Sequence, residues 1–157
     1  MVKQSKPSQD TQEAKTPNKA YIFAIGRRKE SVARVRLYHN STTWDGIAIN
    51  KGDIVVNKKK AMEYFGEGGV KIYVEPLRIT NTEKKFAITV LVAGGGKMGQ
   101  LDAMVLGIAR ALDKLDREKF RAILKNKGFL TRDPRVRQRR KVGMGGKSRR
   151  RKQSPKR

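Results

Sequence analysis

From Ser31 to Tyr38 the chain alternates, with Ala33, Val35 and Leu37 on one side and Arg34 and Arg36 on the other. A period of two predicts a half-buried strand whose outer face is basic, either a solvated surface or a binding one. "YIFAI" from Tyr21 reads as a short strand before it, with turn residues from Gly26 to Lys29. "HNSTTWDG" reads as a polar loop, and "IAIN" and "DIVVN" as short strands. "KKKAMEYF" has the spacing of a short helix with Met62 and Phe65 on one side. "GEGG" is expected to break that helix, and Pro76 to mark another boundary. "KKFAITVLVA" is the strongest strand pattern.

In residues 100–115 the stripe of Leu101, Met104, Val105, Ile108, Leu112 and Leu115 predicts a helix. Asp116 is placed to cap a second helix, with Phe120, Ile123 and Leu124 inward and Gly128 as its stop. The pattern is α+β: a mainly antiparallel sheet with helices packed on one face. No internal repeat is present.

Both ends depart from this pattern. Residues 1–20 are rich in Gln, Lys, Ser, Thr and Pro, too polar to order themselves, and read as a disordered extension. Residues 21–130 read as one globular α+β unit, long enough to bury a core, and residues 131–157 as a basic tail. The 157 residues carry a net charge of +24. Residues 132–157 hold 13 Lys and Arg against one acid, so half of that charge sits in the tail. Such a block marks an interaction tail for a polyanion.

The absence of Cys excludes disulfides and thiolate metal sites, and a lone His39 excludes His-pair zinc sites. His39 beside Tyr38 reads as an ordinary strand-end side chain, so no catalytic or metal residue is assigned. The longest apolar runs fall far short of the ~20 residues of a membrane helix. The N-terminus has no secretory apolar core. The expectation is a soluble, intracellular, non-enzymatic protein.

One motif points elsewhere. Gly94, Gly96 and Gly99 have the G-x-G-x-x-G spacing of a dinucleotide-binding turn between a strand and a helix. That fold needs a second parallel strand after the helix, ending in an acid that binds ribose. Here Asp113 and Asp116 fall at a junction of two helices, so no nicotinamide or flavin cofactor is expected. Two readings remain: a backbone that meets a nucleic-acid phosphate beside Lys97, or a turn that packs the helix on the sheet. In either, a valine at Gly96 is expected to obstruct close approach.

Several stretches in order resemble the small-subunit ribosomal protein nine family, bacterial type. They are "GRRKESVARVRL" at 26–37, "VVN" at 55–57, "EYF" at 63–65 and "PL" at 76–77. "GGGKMGQ" at 94–100, "GIARAL" at 107–112 and "GFLTRDPRVRQRRKVG" at 128–143 follow. The resemblance implies the β-α-β fold shared with the second domain of ribosomal protein five. It also implies a place in the head of the small subunit, on rRNA and beside other ribosomal proteins, in the cytoplasm. It further implies that Lys156 and Arg157 touch the anticodon stem-loop of tRNA in the peptidyl (P) site. The sequence differs from the family at the longer "HNSTTWDGIAINK" segment, at Pro134 and at the ending "QSPKR".

On this reading the rRNA contacts are Arg27, Arg28, Lys29, Arg34, Arg36 and Lys97 on the body. Along the tail they are Arg132, Arg135, Arg137, Arg139, Arg140, Lys141, Lys147, Arg149, Arg150 and Arg151. Arg grips phosphate bidentately, which fixes position without reading sequence. A DNA-binding or nucleoid protein would share the charge; duplex DNA and structured rRNA compared at matched salt separate the two.

Overall fold

Seven strands and four helices follow one another in residues 21–139, the part of the chain that the computed structural model describes. Strands β1 (Tyr21–Arg28) and β2 (Ser31–Tyr38) form an antiparallel hairpin, and β2 pairs antiparallel with β7 (Ala87–Ala93). On the other side of β7 lies β5 (Ile54–Val56), parallel to it, and then β6 (Lys59–Lys60). The sheet order is β1-β2-β7-β5-β6. The parallel β5–β7 pair is joined through α1 (Ala61–Phe65) and α2 (Glu67–Ile79), so the β-α-β unit implied by the resemblance is present.

The period-two reading of β2 holds: Ala33, Val35 and Leu37 are fully buried and Arg34 is exposed. The inward side chains of β1, β2 and β7 meet α3 (Lys97–Leu115), which runs across the sheet with α2 and α4 (Arg117–Asn126) beside it. Because α3 lies between the sheet and those helices, its buried residues extend beyond one stripe to Ala103, Leu106, Ala109 and Ala111. Asp116 caps α4, accepting a hydrogen bond from the Lys119 amide at 3.2 Å. Leu124 is buried and Phe120 packs on the core, but Ile123 is 41% exposed, contrary to its expected inward position.

Gly26 is not a turn residue. It lies within β1, and only Lys29 and Glu30 form the turn. A Cβ built on Gly26 would sit 1.8 Å from the Ala103 carbonyl oxygen and 2.5 Å from the Gly107 amide nitrogen. The absent side chain lets α3 lie directly against the β1 backbone.

Two further expectations need correction. "GEGG" does break the short helix, since α1 ends at Phe65 and Gly66 stands at φ +78°, but Pro76 marks no boundary: it lies inside a 13-residue α2 that also contains Gly68 and Gly69. Pro76 has no N–H for the Ile72 carbonyl, yet its ring is buried in the core. The Thr80 hydroxyl donates to the Pro76 carbonyl at 2.9 Å and closes the helix. Met62 is 52% exposed and does not share the inward side of Phe65.

The polar loop also contains a strand, β3 (Thr42–Trp44), which pairs with β4 (Ile47–Ile49) across a two-residue Asp45–Gly46 turn. Both turn residues are left-handed, at φ 49° and 81°, the conformation that Asp-Gly hairpins adopt. This hairpin folds over one end of the sheet face opposite α3. Trp44 and Ile47 pack there on the cluster of Ile49, Val55 and Ala87. Lys58, left-handed at φ 68°, reaches Asp45 at 3.2 Å and ties the hairpin to the β5–β6 turn.

At the β1 edge of the sheet, Arg110 donates to the Ile25 carbonyl at 2.9 Å and Lys114 to the Phe23 carbonyl at 2.9 Å. No helix among the described residues is long and apolar enough to cross a membrane.

Candidate nucleic-acid interface

The β1–β2 turn, the start of α3 and the start of the tail meet at one end of the molecule. Gly94 and Gly95 are left-handed, at φ 73° and 60°, and fold the chain back against Glu30 and Ser31. A Cβ on Gly94 would lie 2.5 Å from the Glu30 carbonyl oxygen, and one on Gly95 2.1 Å from Ser31 Oγ. Ser31 Oγ and Gln100 Nε2 both donate to the Gly94 carbonyl at 3.1 Å. The glycines therefore serve close packing of loop on turn.

Gly96 is the exception, with open space around its would-be Cβ and an ordinary φ of −108°. For packing of the helix on the sheet, the expected obstruction by valine at Gly96 is thus corrected; within the protein, Gly94, Gly95 and Gly99 are the positions that cannot carry a side chain freely. After α3 the chain enters α4, not a strand.

The packed loop and turn bring exposed Lys29 and Lys97 to the same end as Arg28. Arg28 itself is not a free cation. Its side chain is 14% exposed and lies 3.5 Å from an Asp102 carboxylate oxygen and 3.0 Å from one of Asp133. It also donates to the Arg135 carbonyl at 2.7 Å. Asp133 in turn accepts from the Arg135 backbone amide at 2.9 Å and from Arg135 Nε at 2.9 and 3.0 Å.

Arg28 thus anchors the first residues of the tail to the body, and Arg135 is partly occupied in the same cluster. Sequence reasoning missed this because any Arg in so basic a chain reads as a phosphate contact. One signal was available: Asp133 is the only acid in residues 132–157.

Arg135, hydrogen-bonded to Asp133, holds its carboxyl well below the usual carboxylate range, with Arg28 a smaller cause. Because the folded value is depressed, the contribution of this carboxylate stands above its unfolded pKa and is lost only as pH falls through the depressed one. The clamp should therefore survive acidification through about pH 4, where ordinary aspartates protonate. Arg28→Ala should release it at any pH. Spin labels at positions 85 and 137 check this: a narrow distance distribution should broaden in Arg28→Ala, and Arg28→Lys should restore it only in part. An unchanged distribution in Arg28→Ala would show that Phe129 and Leu130 alone set the tail's exit.

Arg132 just before the clamp and Arg137 and Arg139 beyond it are exposed on irregular chain. Arg27, Arg34 and Arg36 lie elsewhere, on the sheet face turned away from α3. Arg36 sits over the Tyr21 ring, 5.2 Å from its centroid. The expected contacts Arg140, Lys141, Lys147, Arg149, Arg150, Arg151, Lys156 and Arg157 lie outside the described residues, as does the 1–20 extension. His39 meets the Phe86 ring edge-on at 5.3 Å. Among the described residues no group of His, Cys, Asp or Glu is arranged to hold a metal.

The family model for ribosomal protein S9/S16 matches residues 26–157, from the end of β1 through the whole tail. The chain belongs to that family. It is a ribosomal protein of the small subunit, and the S9/S16 family is structural, not enzymatic. The match spans the glycine loop, so the G-x-G-x-x-G spacing is part of a ribosomal fold here.

Proposed function

We propose that this S9/S16 family member binds rRNA in the head of the small subunit and that its C-terminal tip reaches tRNA in the peptidyl site. The observation that carries the reading is the anchored root of the tail. Arg132, Arg137 and Arg139 leave the body beside Lys29 and Lys97, while two acids of the cluster are engaged, Asp133 with Arg28 and Arg135 and Asp102 with Arg28. The root thus presents positive charge to a polyanion. Phosphate contacts of this kind place the protein, while the shape of the folded RNA supplies selectivity. Within this reading residues 1–20 are an extension, 21–130 the body and 131–157 the RNA-bound tail.

Reach supports the finer claim. From Arg132 to Arg157 there are 25 residue steps. At ~3.3–3.6 Å per residue, an extended chain spans roughly 80–90 Å, several times the radius of so small a body. Lys156 and Arg157 then serve tRNA, while the other tail cations hold rRNA. Deleting these two residues should leave the protein co-sedimenting with small subunits that assemble at a normal rate. Peptidyl-site tRNA should dissociate faster by a modest factor, since the ~1.5–3 kcal/mol of each charged hydrogen bond is an upper figure that water and salt reduce. Slower assembly with unchanged tRNA dissociation would make the tip another rRNA anchor.

A further inference from the structure

The sheet face opposite α3 does not have the composition of a solvated surface. On such a face polar side chains alternate with buried ones. Here the cross-strand rows read Phe23–Arg36–Thr89, Ile25–Arg34–Leu91 and Arg27–Val32–Ala93. Phe23, Ile25 and Val32 are half-buried and Leu91 is 37% exposed. The outward positions of β1, β2 and β7 include three arginines and no acid. The β3–β4 hairpin packs on the end of the face that holds Tyr38, Ala87 and Val55, beside the buried Thr89, while Leu91 further along β7 is open.

Aliphatic side chains set between guanidinium groups suit one kind of polyanion. A nucleic-acid duplex presents phosphates and would leave Ile25 and Leu91 against water. Unpaired nucleotides present both a phosphate and an apolar base face, and proteins recognise RNA mainly in that state. We infer that this face binds unpaired rRNA nucleotides, whose bases lie on Ile25, Val32 and Leu91 while Arg27 and Arg34 hold the adjoining phosphates. Arg36 is held in place by the Tyr21 ring and borders the same site. The inference rests on the rRNA-binding reading above and adds a base-contacting surface to it.

Methyl NMR of the full-length protein tests this, with a single-stranded RNA hexamer of mixed sequence and an RNA duplex as probes. The hexamer should move the Ile25, Val32 and Leu91 methyl resonances in the direction of ring-current shielding; the duplex should leave them in place. In Leu91→Ser, the hexamer concentration that half-saturates the Ile25 shift should rise about three-fold, less than the loss of a base stacked on an aromatic ring, because Leu91 offers an apolar contact without a π-face. Arg34→Gln should raise it as well, and its unchanged core methyl spectrum shows whether the fold is kept.

Equal shifts with duplex and hexamer, or none with either, overturn the proposal. So does a Leu91 methyl that responds to removal of residues 1–20 but not to RNA, or a photo-crosslinker at position 91 that captures a protein in assembled subunits. If salt-dependent binding to structured rRNA persists while the methyls stay unmoved, only the sheet-face site is lost. If that binding is absent too, the rRNA reading fails with it.

Discussion

Gly26→Ala should leave a protein that melts roughly 10 °C lower or fails to fold, while Gly96→Ala should melt like the parent. The new Cβ at Gly26 would meet the Ala103 carbonyl at 1.8 Å and the Gly107 amide at 2.5 Å. Both obstacles are helix backbone, so no side-chain rotation relieves the clash. Either α3 lifts from the sheet or β1 shifts, and each uncovers Ala24, Val35 and Ile108 in the core. Overpacking usually costs about 1–3 kcal/mol, and a backbone obstacle belongs at or above the top of that range. For a fold this size, ~3 kcal/mol is a large share of the 5–15 kcal/mol that separates folded from unfolded chains. At roughly 3–5 °C per kcal/mol the shift follows. The measurement is a calorimetric melt of both variants, and equal melting temperatures would refute the close-packing role of Gly26.

Truncation after Thr131 should abolish most rRNA affinity without touching the core. It removes 13 of the 38 Lys and Arg but keeps Phe129 and Leu130, which pack on the hydrophobic cluster. If the lost cations met about six phosphates, the slope of log affinity against log salt should fall by about 4–5, at ~0.7–0.9 per phosphate. Affinity near physiological salt should drop on the order of a thousand-fold. Filter binding to structured rRNA across a salt series reads both quantities. A slope unchanged by truncation would move the RNA contacts onto the body and contradict the proposed role of the tail.

What was legible in the sequence followed from periodicity and local chemistry. β2 declared itself because burial of Ala33, Val35 and Leu37 requires alternation, and α4 because Asp116 sits where a cap belongs. Helix α2 was hidden by its own composition, since Gly68, Gly69 and Pro76 all argue locally against a helix. Packing of Tyr73 and Leu77 in the core overrides that preference. Strand β3 was hidden because the polar residues Asn40 and Ser41 before it and the Asp45–Gly46 turn after it read as loop, and the contact of Trp44 with the second apolar cluster shows why the hairpin is held.

The candidate interface was legible as charge and illegible as geometry. Counting arginines located the tail and the basic strand face, but it could not separate a free cation from an engaged one. Arg28 and Asp133 are 105 positions apart, so no local pattern couples them. The acid in a basic tail is there to fix its root.

The Arg110 and Lys114 contacts with the β1 carbonyls have a consequence for the chain before it meets RNA. An outer strand with free carbonyls and amides is a template on which a second copy can extend the sheet. Two long cations from α3 occupy the Ile25 and Phe23 acceptors. A neighbouring copy must displace both before it can pair there, and it carries the same excess positive charge. Edge-to-edge pairing of two copies through β1 is disfavoured in this way.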